Sequence, residues 1–142
     1  MYVKQISVSL ENAPGKLVEV SEHMGSEGVN IRAISVADTS DMSTVRFVAD
    51  DPIKAALVLK SHGYQVRETD VIAVETPDHP GGLKAVLKPL KEADINILYL
   101  YPYLGRATEQ PIIIVGVDRT EDAVEILKKN WVHTFGNEIY SL

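Results

Sequence analysis

"ENAPGKLVEV", residues 11–20, places Asn, Pro and Gly between an alternating apolar run and a helix-like pattern. "PDHPGGLKAV", residues 77–86, repeats the Pro-Gly step with an offset of 66 residues. Proline suits the first position of a helix because its φ is fixed and it has no N–H group. Glycine has no Cβ, so a ligand can approach its main chain closely. A motif that recurs with its surroundings at a fixed offset predicts two copies of one structural unit.

Each half of the chain has the same order of predicted elements. Alternating apolar residues predict strands, and apolar residues spaced by three or four predict helices. In the first half the strands are 3–10, 29–38, 43–49 and 64–70, and the helices are 15–27 and 52–62. In the second half the strands are 71–76, 95–104, 111–117 and 133–140, and the helices are 81–93 and 119–130. The order β-α-β-β-α-β, found twice, predicts an α+β protein with two ferredoxin-like units, residues 1–70 and 71–142, packed together.

Local signals support these boundaries. Leu17, Val20 and Met24 lie on one face of the first predicted helix. Asp51 and Asp118 precede the second helix of each half and are candidate N-caps. The polar connections "TSDMS" and "GRATEQ", residues 39–43 and 105–110, predict turns between paired strands.

The composition excludes several classes of protein. The chain has 142 residues, of which 45% are hydrophobic and 24% charged, as in a globular domain. Its net charge of −6, without a basic stripe, argues against nucleic acid as a partner. Cysteine is absent, which excludes disulfides and thiolate metal sites. No apolar run approaches the ~20 residues needed to span a bilayer, and the N-terminus has no signal core. We therefore expect no membrane association and a cytoplasmic protein.

The Pro-Gly step predicts a backbone site for a small anion. The first-turn N–H groups of a helix have no intrahelical partners and lie at the positive end of the helix dipole, so a carboxylate is a natural ligand. Asn30 follows Gly28 at the start of a strand, and its side-chain amide offers both a donor and an acceptor. The alternatives are that Pro-Gly only starts a helix and that Asn30 only forms a turn. The repeated spacing of both features favours a binding site.

"NAPGKLVEVSEHMGSEGVNI" and "DHPGGLKAVLKPLKEADINI", residues 12–31 and 78–97, resemble the opening of ACT domains. These are small regulatory modules attached to many enzymes of amino-acid metabolism. The resemblance implies side-by-side pairing of ferredoxin-like units and a small ligand, often an amino acid, at the interface between units. It implies ligand contacts from the first half at Asn12, Ala13, Pro14, Gly15, Lys16, Leu17, Asn30 and Ile31. The implied contacts of the second half are Asp78, His79, Pro80, Gly81, Gly82, Leu83, Asn96 and Ile97.

The two copies differ within the implied site. Asn12 becomes Asp78, Lys16 becomes Gly82, and the Gly28 position is lost in "EADIN". Asp78 could cap the following helix with its own carboxylate, or it could accept a ligand ammonium group. We therefore expect unequal pockets, with the stronger one at residues 12–17.

These features predict a stand-alone allosteric regulatory or sensor protein that binds an amino acid and uses no cofactor. The alternatives are a ligand-free interaction module that regulates an amino-acid biosynthetic enzyme, an enzyme on a ferredoxin-like scaffold and an RNA-binding module. No nucleophile, base and orienting group occur in a recognisable pattern, so we expect no catalytic residues. The four histidines lack metal-ligand spacing, so we expect no metal site. We expect a homodimer, with a metabolic enzyme as a candidate partner.

Overall fold

The structure is a computed structural model that describes residues 2–105 and 109–142. The chain divides into two compact units. Lys4–Thr69 form the first unit, and Met1–Val3 with Asp70–Leu142 form the second. None of the helices in the described ranges has the length and apolar composition of a membrane-spanning segment.

The first unit has the predicted β-α-β-β-α-β order. Its elements are β1 (Val3–Glu11), α1 (Lys16–Ser26), β2 (Ile31–Asp38), β3 (Met42–Ala49), α2 (Pro52–Ser61) and the beginning of β4 (Val66–Glu75). Strand β3 pairs antiparallel with both β1 and β2, and β4 lies next to β1. This is the strand order of a ferredoxin-like sheet.

The second unit repeats that order. The end of β4 is followed by α3 (Lys84–Glu92), β5 (Ile97–Pro102), β6 (Ile112–Val117), α4 (Thr120–Lys129) and β7 (Thr134–Phe135). Strand β6 lies between β5 and β4, and β7 pairs with β4 on its other side. The predicted α+β, ferredoxin-like fold is confirmed.

Each unit packs its two helices against the same face of its sheet. In the first unit, buried residues of α1 and α2 contact β1 and β3. The largest fully buried side chains of this core are Ile6, Met24, Phe47 and Leu59. In the second unit the corresponding core includes Ile72, Leu90, Val115 and Leu127. The alternation of buried residues along the strands explains why the period-two pattern was readable in the sequence.

Three of the predicted strands differ from the structure. The strands at 64–70 and 71–76 are one continuous strand, β4, because "VRETDVIAVE" contains no glycine or proline to interrupt it. The strand at 133–140 is reduced to Thr134–Phe135 and is followed by a 3₁₀ turn at Asn137–Tyr140. That turn buries Ile139, whose carbonyl oxygen accepts a hydrogen bond from the Tyr103 hydroxyl at 3.2 Å.

One of the two predicted helix caps is confirmed. Asp51 is the N-cap of α2, and its carboxylate accepts a hydrogen bond from the Lys54 N–H at 3.0 Å. Asp118 does not cap α4, because the N-cap residue is Arg119 and α4 has no side-chain cap. The spacing shift between the halves makes Asp118 the equivalent of Asp50 rather than of Asp51.

The beginnings of α1 and α3 also differ from the prediction. Helix α3 begins at Lys84, because the residues before it form tight turns instead of a helix. Val20 and Met24 are buried as predicted, but 41% of Leu17 is exposed. Its equivalent Leu83 is similarly exposed, at 40%. Part of the predicted turn at 105–110, residues 106–108, lies outside the described residues.

Candidate functional site

We call residues 12–17, between β1 and α1, the first loop. Its fold depends on Asn12, which is tied to the turn between β2 and β3. The Asn12 main-chain N–H donates to the Asp41 carbonyl oxygen at 2.9 Å, and its side-chain amide donates to the Thr39 carbonyl oxygen at 3.3 Å. Gly15 then adopts a left-handed φ of 86° and starts α1 without a side-chain cap. Asn12 therefore acts as a structural anchor of the loop in this structure.

The first loop and the first turn of α1 leave main-chain donors unpaired. Within the described ranges, the N–H groups of Gly15, Leu17 and Val18 have no hydrogen-bond acceptor. The Lys16 N–H makes only a long bond of 3.4 Å to the Ala13 carbonyl oxygen. These donors lie at the positive end of the α1 dipole, where an anion is stabilised.

The side chains of the first loop leave this helix start accessible. Pro14, Gly15 and Leu17 are exposed, and Ala13 and Lys16 are partly buried. The Lys16 ammonium lies 3.9 Å from the Glu11 carboxylate, a weak and exposed ion pair. The arrangement can therefore accept a small carboxylate from solvent, with a lysine cation close to the open amides.

The second loop, residues 78–83, is more closed. The Gly82 N–H donates to the His79 carbonyl oxygen at 2.8 Å, and the Lys84 N–H donates to the Gly81 carbonyl oxygen at 3.1 Å. A Cβ on Gly82 would collide with the carbonyl oxygen of Pro77, so the turn requires glycine there. The N–H groups of His79, Gly81 and Leu83 lack acceptors in the described residues, but those of the first turn of α3, at Lys84, Ala85 and Val86, are all paired.

Asp78 does not fill the helix start with its own carboxylate. Its main-chain N–H donates to the side-chain oxygen of Gln110 at 3.2 Å, which fixes the loop to the region before β6. Leu83 is the N-cap residue of α3, and no side chain caps that helix. The capping alternative is therefore wrong. His79 and Pro80 are exposed, and the His79 Nδ1 lies 3.0 Å from the Pro80 carbonyl oxygen.

Asn30 and Asn96 are held by the same contacts in the two units. The Asn30 N–H donates to the Asp50 carboxylate at 3.0 Å, and the Asp50 N–H donates back to the Asn30 carbonyl oxygen at 2.9 Å. Asn96 and Asp118 make the equivalent pair at 3.1 and 3.2 Å. The Asn30 side chain is exposed and has no hydrogen-bond partner within the described ranges. Each aspartate thus fixes the main chain and leaves the asparagine side chain available.

The loss of Gly28 in the second half does not change the backbone. Gly28 has a φ of 73°, and its equivalent Asp94 adopts a φ of 57°. Aspartate tolerates this left-handed region better than most residues. The Arg119 guanidinium donates to the carbonyl oxygens of Ala93 and Asp94 at 2.9 Å and holds this turn in place.

Asn96 and Ile97 line one cleft of about 510 Å³ in the second unit, together with Leu87, Lys91 and Asp94. Ile97 also packs against the second core, as Ile31 packs against the first. The cleft combines an amide, a cation and a carboxylate around an apolar floor. Its chemistry suits a small zwitterion.

The predicted site residues of the first unit do not form one pocket within that unit. Asn12 is bonded to the turn that follows β2, whereas Asn30 immediately precedes β2. An eight-residue strand is about 25 Å long. The first loop and Asn30 therefore lie at opposite ends of the sheet, and a pocket that used both would need Asn30 from another unit.

The motif pattern does not point to Trp131, which is 95% exposed and has a φ of 61°. It occupies the position of Gly63 in the first unit, where φ is 85°. Trp131 lines a cleft of about 420 Å³ with Pro77, Gln110 and His133. The sequence gives one indication of Trp131: when the second half is aligned with the first, Trp131 falls on Gly63. Among the described residues, no cluster of three or more His, Asp or Glu side chains is placed to hold a metal ion.

Two ferredoxin-like units, each with a Pro-Gly loop before its first helix and an Asn-Ile pair at the start of its second strand, define a tandem protein of the ACT type. The chain belongs to the family of ACT domain pairs, whose sequence model matches residues 1–139. No curated protein matches it.

Solved structures agree with this assignment. A protein from Bacteroides thetaiotaomicron is 31% identical, with a TM-score of 0.91 over 100% of this chain and 98% of that one. The ligand-free regulatory subunit of aspartate kinase from Thermus thermophilus is 13% identical, with a TM-score of 0.64 over 90% of this chain and 92% of that one. The corresponding subunit from Thermus flavus is 14% identical, with a TM-score of 0.60 over 90% and 92%. At these lower identities the similarity establishes the fold alone.

Proposed function

We propose that this ACT domain pair is a non-catalytic regulatory module that binds an amino acid and controls a metabolic enzyme. The observation that carries the proposal is the set of unpaired main-chain N–H groups at Gly15, Leu17 and Val18. These groups, at the start of α1, form a carboxylate site next to the Lys16 cation. The first loop is the stronger site, because the first-turn N–H groups of α1 at Leu17 and Val18 are unpaired. In the first turn of α3, the N–H groups of Lys84, Ala85 and Val86 all donate to carbonyl oxygens of the preceding turn.

The second part of the pocket is the asparagine amide, which can bind both the carboxylate and the ammonium group of an amino acid. Since Asn30 lies at the far end of its own unit, the pocket combines the loop of one ACT unit with the asparagine of another. A homodimer is one source of that second unit. Oligomeric state measured by light scattering, with and without ligand, tests this part.

The regulatory mechanism is linkage. A ligand that contacts two units stabilises the arrangement that brings them together, and a partner enzyme senses that arrangement. A ligand present at 100 times its Kd stabilises the bound state by about 2.7 kcal/mol. Two of the structural relatives are described as regulatory subunits of aspartate kinase. An enzyme of amino-acid metabolism is therefore the first class of partner to examine.

A second candidate is a ligand-free interaction module. The exposure of Leu17 and Leu83 at equivalent positions favours it, because both leucines could pack against a protein partner. The ligand experiment below separates the two candidates.

The experiment measures thermal unfolding of the full chain against each of the twenty amino acids, with binding then quantified by calorimetry. We expect one amino acid, or a small related group, to raise Tm. The primary amide of that amino acid lacks the carboxylate, and we expect it to produce no shift. If no amino acid changes Tm or releases heat on titration, the amino-acid proposal is wrong and the interaction module is favoured.

Gly15→Ala and Gly81→Ala are matched variants that locate the site. Both glycines have positive φ, 86° and 80°, and a Cβ at either would meet no atom within 4 Å. The two substitutions therefore strain the backbone similarly. We expect Gly15→Ala to weaken binding and Gly81→Ala to leave most of it. The reverse order would place the stronger site at the second loop.

A further inference from the structure

A single arginine in the first unit has a buried polar group without a partner. The Nε of Arg32 is shielded from solvent and makes no hydrogen bond. In the part of the chain that the structure describes, the Arg32 side chain forms no ion pair either. Arginine stays charged in a protein, and a partly buried charge without a counter-charge is unfavourable. The Arg32 guanidinium therefore does not stabilise the fold through a hydrogen bond or an ion pair of its own.

The backbone around Arg32 is irregular. In the pairing of β2 with β3, Ile31 lies opposite Ala49 and Ala33 lies opposite Val48, so Arg32 is the extra residue of a β-bulge. Ile31 packs against the first core, and Ala33 is fully buried. A bulge redirects one side chain from the regular alternation, and bulges are frequent next to binding sites. Here the redirected side chain is an unpaired cation two residues after Asn30.

The second unit provides an internal comparison. It has the same bulge, because Ile97 lies opposite Val117 and Tyr99 lies opposite Gly116. The extra residue there is Leu98, which is 57% exposed. The fold therefore accepts an aliphatic side chain at this bulge, and the guanidinium of the first unit is not required by the backbone geometry.

We propose that Arg32 binds a ligand carboxylate and that the ligand of the Asn30 site is a dicarboxylic amino acid. Guanidinium and carboxylate groups match in a planar, bidentate geometry with charge-assisted hydrogen bonds. The inference rests on the proposed function, in which main-chain amides of the first loop hold the α-carboxylate. The second carboxylate then provides the counter-charge that Arg32 lacks. A neutral amino acid leaves the guanidinium unpaired.

The test compares L-aspartate and L-glutamate with L-asparagine, L-glutamine and succinate, using thermal unfolding and calorimetry on the full chain. The variants are Arg32→Leu, Arg32→Lys and, as a matched control, Arg67→Leu. Arg67 is an exposed arginine of the same unit, on β4. We expect an acidic amino acid to bind at least about tenfold more tightly than its amide, as expected for one charge-assisted hydrogen bond. Arg32→Leu abolishes this preference, Arg32→Lys reduces it, and Arg67→Leu retains it.

The ligand-free variants give a second readout. Arg32→Leu removes an unpaired buried donor and introduces leucine, the residue that Leu98 provides at the equivalent bulge of the second unit. We therefore expect its Tm to be equal to or above that of the unmodified chain. A structural role for Arg32 predicts a lower Tm instead. A variant with a lower Tm and an intact ligand shift overturns the inference.

The remaining outcomes separate the inference from the proposed function. Equal binding of acidic and neutral amino acids, unaffected by Arg32→Leu, overturns the role of Arg32 and leaves the proposed function in place. Binding of succinate that depends on Arg32 but not on Gly15, with no response to any amino acid, refutes the proposed function and retains Arg32 as an anion-binding residue. No response to any of the five acids and amides overturns the role of Arg32.

Discussion

Replacing Trp131 tests how much stability a positive φ costs at a non-glycine residue of this fold. Trp131 has a φ of 61°, in the left-handed region, at the position where the first unit has Gly63. A left-handed conformation costs a non-glycine residue about 1–2 kcal/mol. The Trp131 side chain is 95% exposed, so it buries almost no apolar surface that could offset this cost. Trp131→Gly removes the strain and should stabilise the second unit.

The net gain is smaller than the strain, because glycine also increases the entropy of the unfolded chain. That effect is worth roughly 0.5–1 kcal/mol. We therefore expect Trp131→Gly to raise the free energy of unfolding by about 0.5–1 kcal/mol, which corresponds to an increase in Tm of about 1–4 °C for a chain of this size.

The assay is urea and thermal unfolding followed by far-UV circular dichroism. Fluorescence is unsuitable, because Trp131 is the single tryptophan of the chain. Trp131→Ala is the matched control, since it removes the indole but keeps a Cβ at positive φ. We expect that variant to stay within about 0.5 kcal/mol of the unmodified chain. Gly63→Ala tests the equivalent position and should lower stability by about 1 kcal/mol. A Trp131→Gly variant no more stable than Trp131→Ala would refute the backbone-strain argument.

Two further predictions concern the second loop and the C-terminal turn. Gly82→Ala should lower the free energy of unfolding by roughly 2 kcal/mol or more, because its Cβ meets the Pro77 carbonyl oxygen. Urea unfolding tests this against the control Gly15→Ala, whose Cβ meets no atom. Equal losses of stability in the two variants would contradict the prediction. The N–H groups of Gly136 and Glu138 lower the pKa of the Glu138 carboxyl, with a smaller effect from His133. This contribution to stability is present above the ordinary pKa of 4.5 and is lost as pH falls through the lower folded-state pKa. Glu138→Gln should therefore reduce the acid dependence of the urea midpoint, and an unchanged pH profile would show that the carboxylate contacts contribute nothing.

Much of the fold was predictable because its determinants are local. Apolar periodicity placed the four α-helices and the first three strands of the first unit within a few residues, and Asp51 was identified as a helix cap from its position alone. The errors occur where the sequence lacks a residue that marks a boundary, or where one residue type fits two structural roles. The β4 segment contains no residue that interrupts a strand, so two predicted strands are one. Asp118 has the sequence context of a cap, but pairing with Asn96 claims its carboxylate.

The candidate site was less predictable. The implied ligand residues included Asn12, yet both of its donors contact the β2–β3 turn. The loss of Gly28 in the second copy was one reason to expect unequal pockets, yet Asp94 adopts the same left-handed conformation. Neither Arg32 nor Trp131 belongs to the repeated motif. Each becomes notable only through its burial, its φ or its position in a strand pairing.

Sequence patterns alone were sufficient to predict two ferredoxin-like units and the positions of their Pro-Gly loops, because hydrophobic period and helix-start chemistry act over a few neighbouring residues. Three properties required the folded chain: which N–H groups remain unpaired, the placement of the first loop and Asn30 at opposite ends of β2, and the burial of the Arg32 Nε without an acceptor. Those properties depend on strand register and on residues far apart in the chain. Hydrogen-bond satisfaction and burial are sums over all spatial neighbours, and one-dimensional spacing does not contain them.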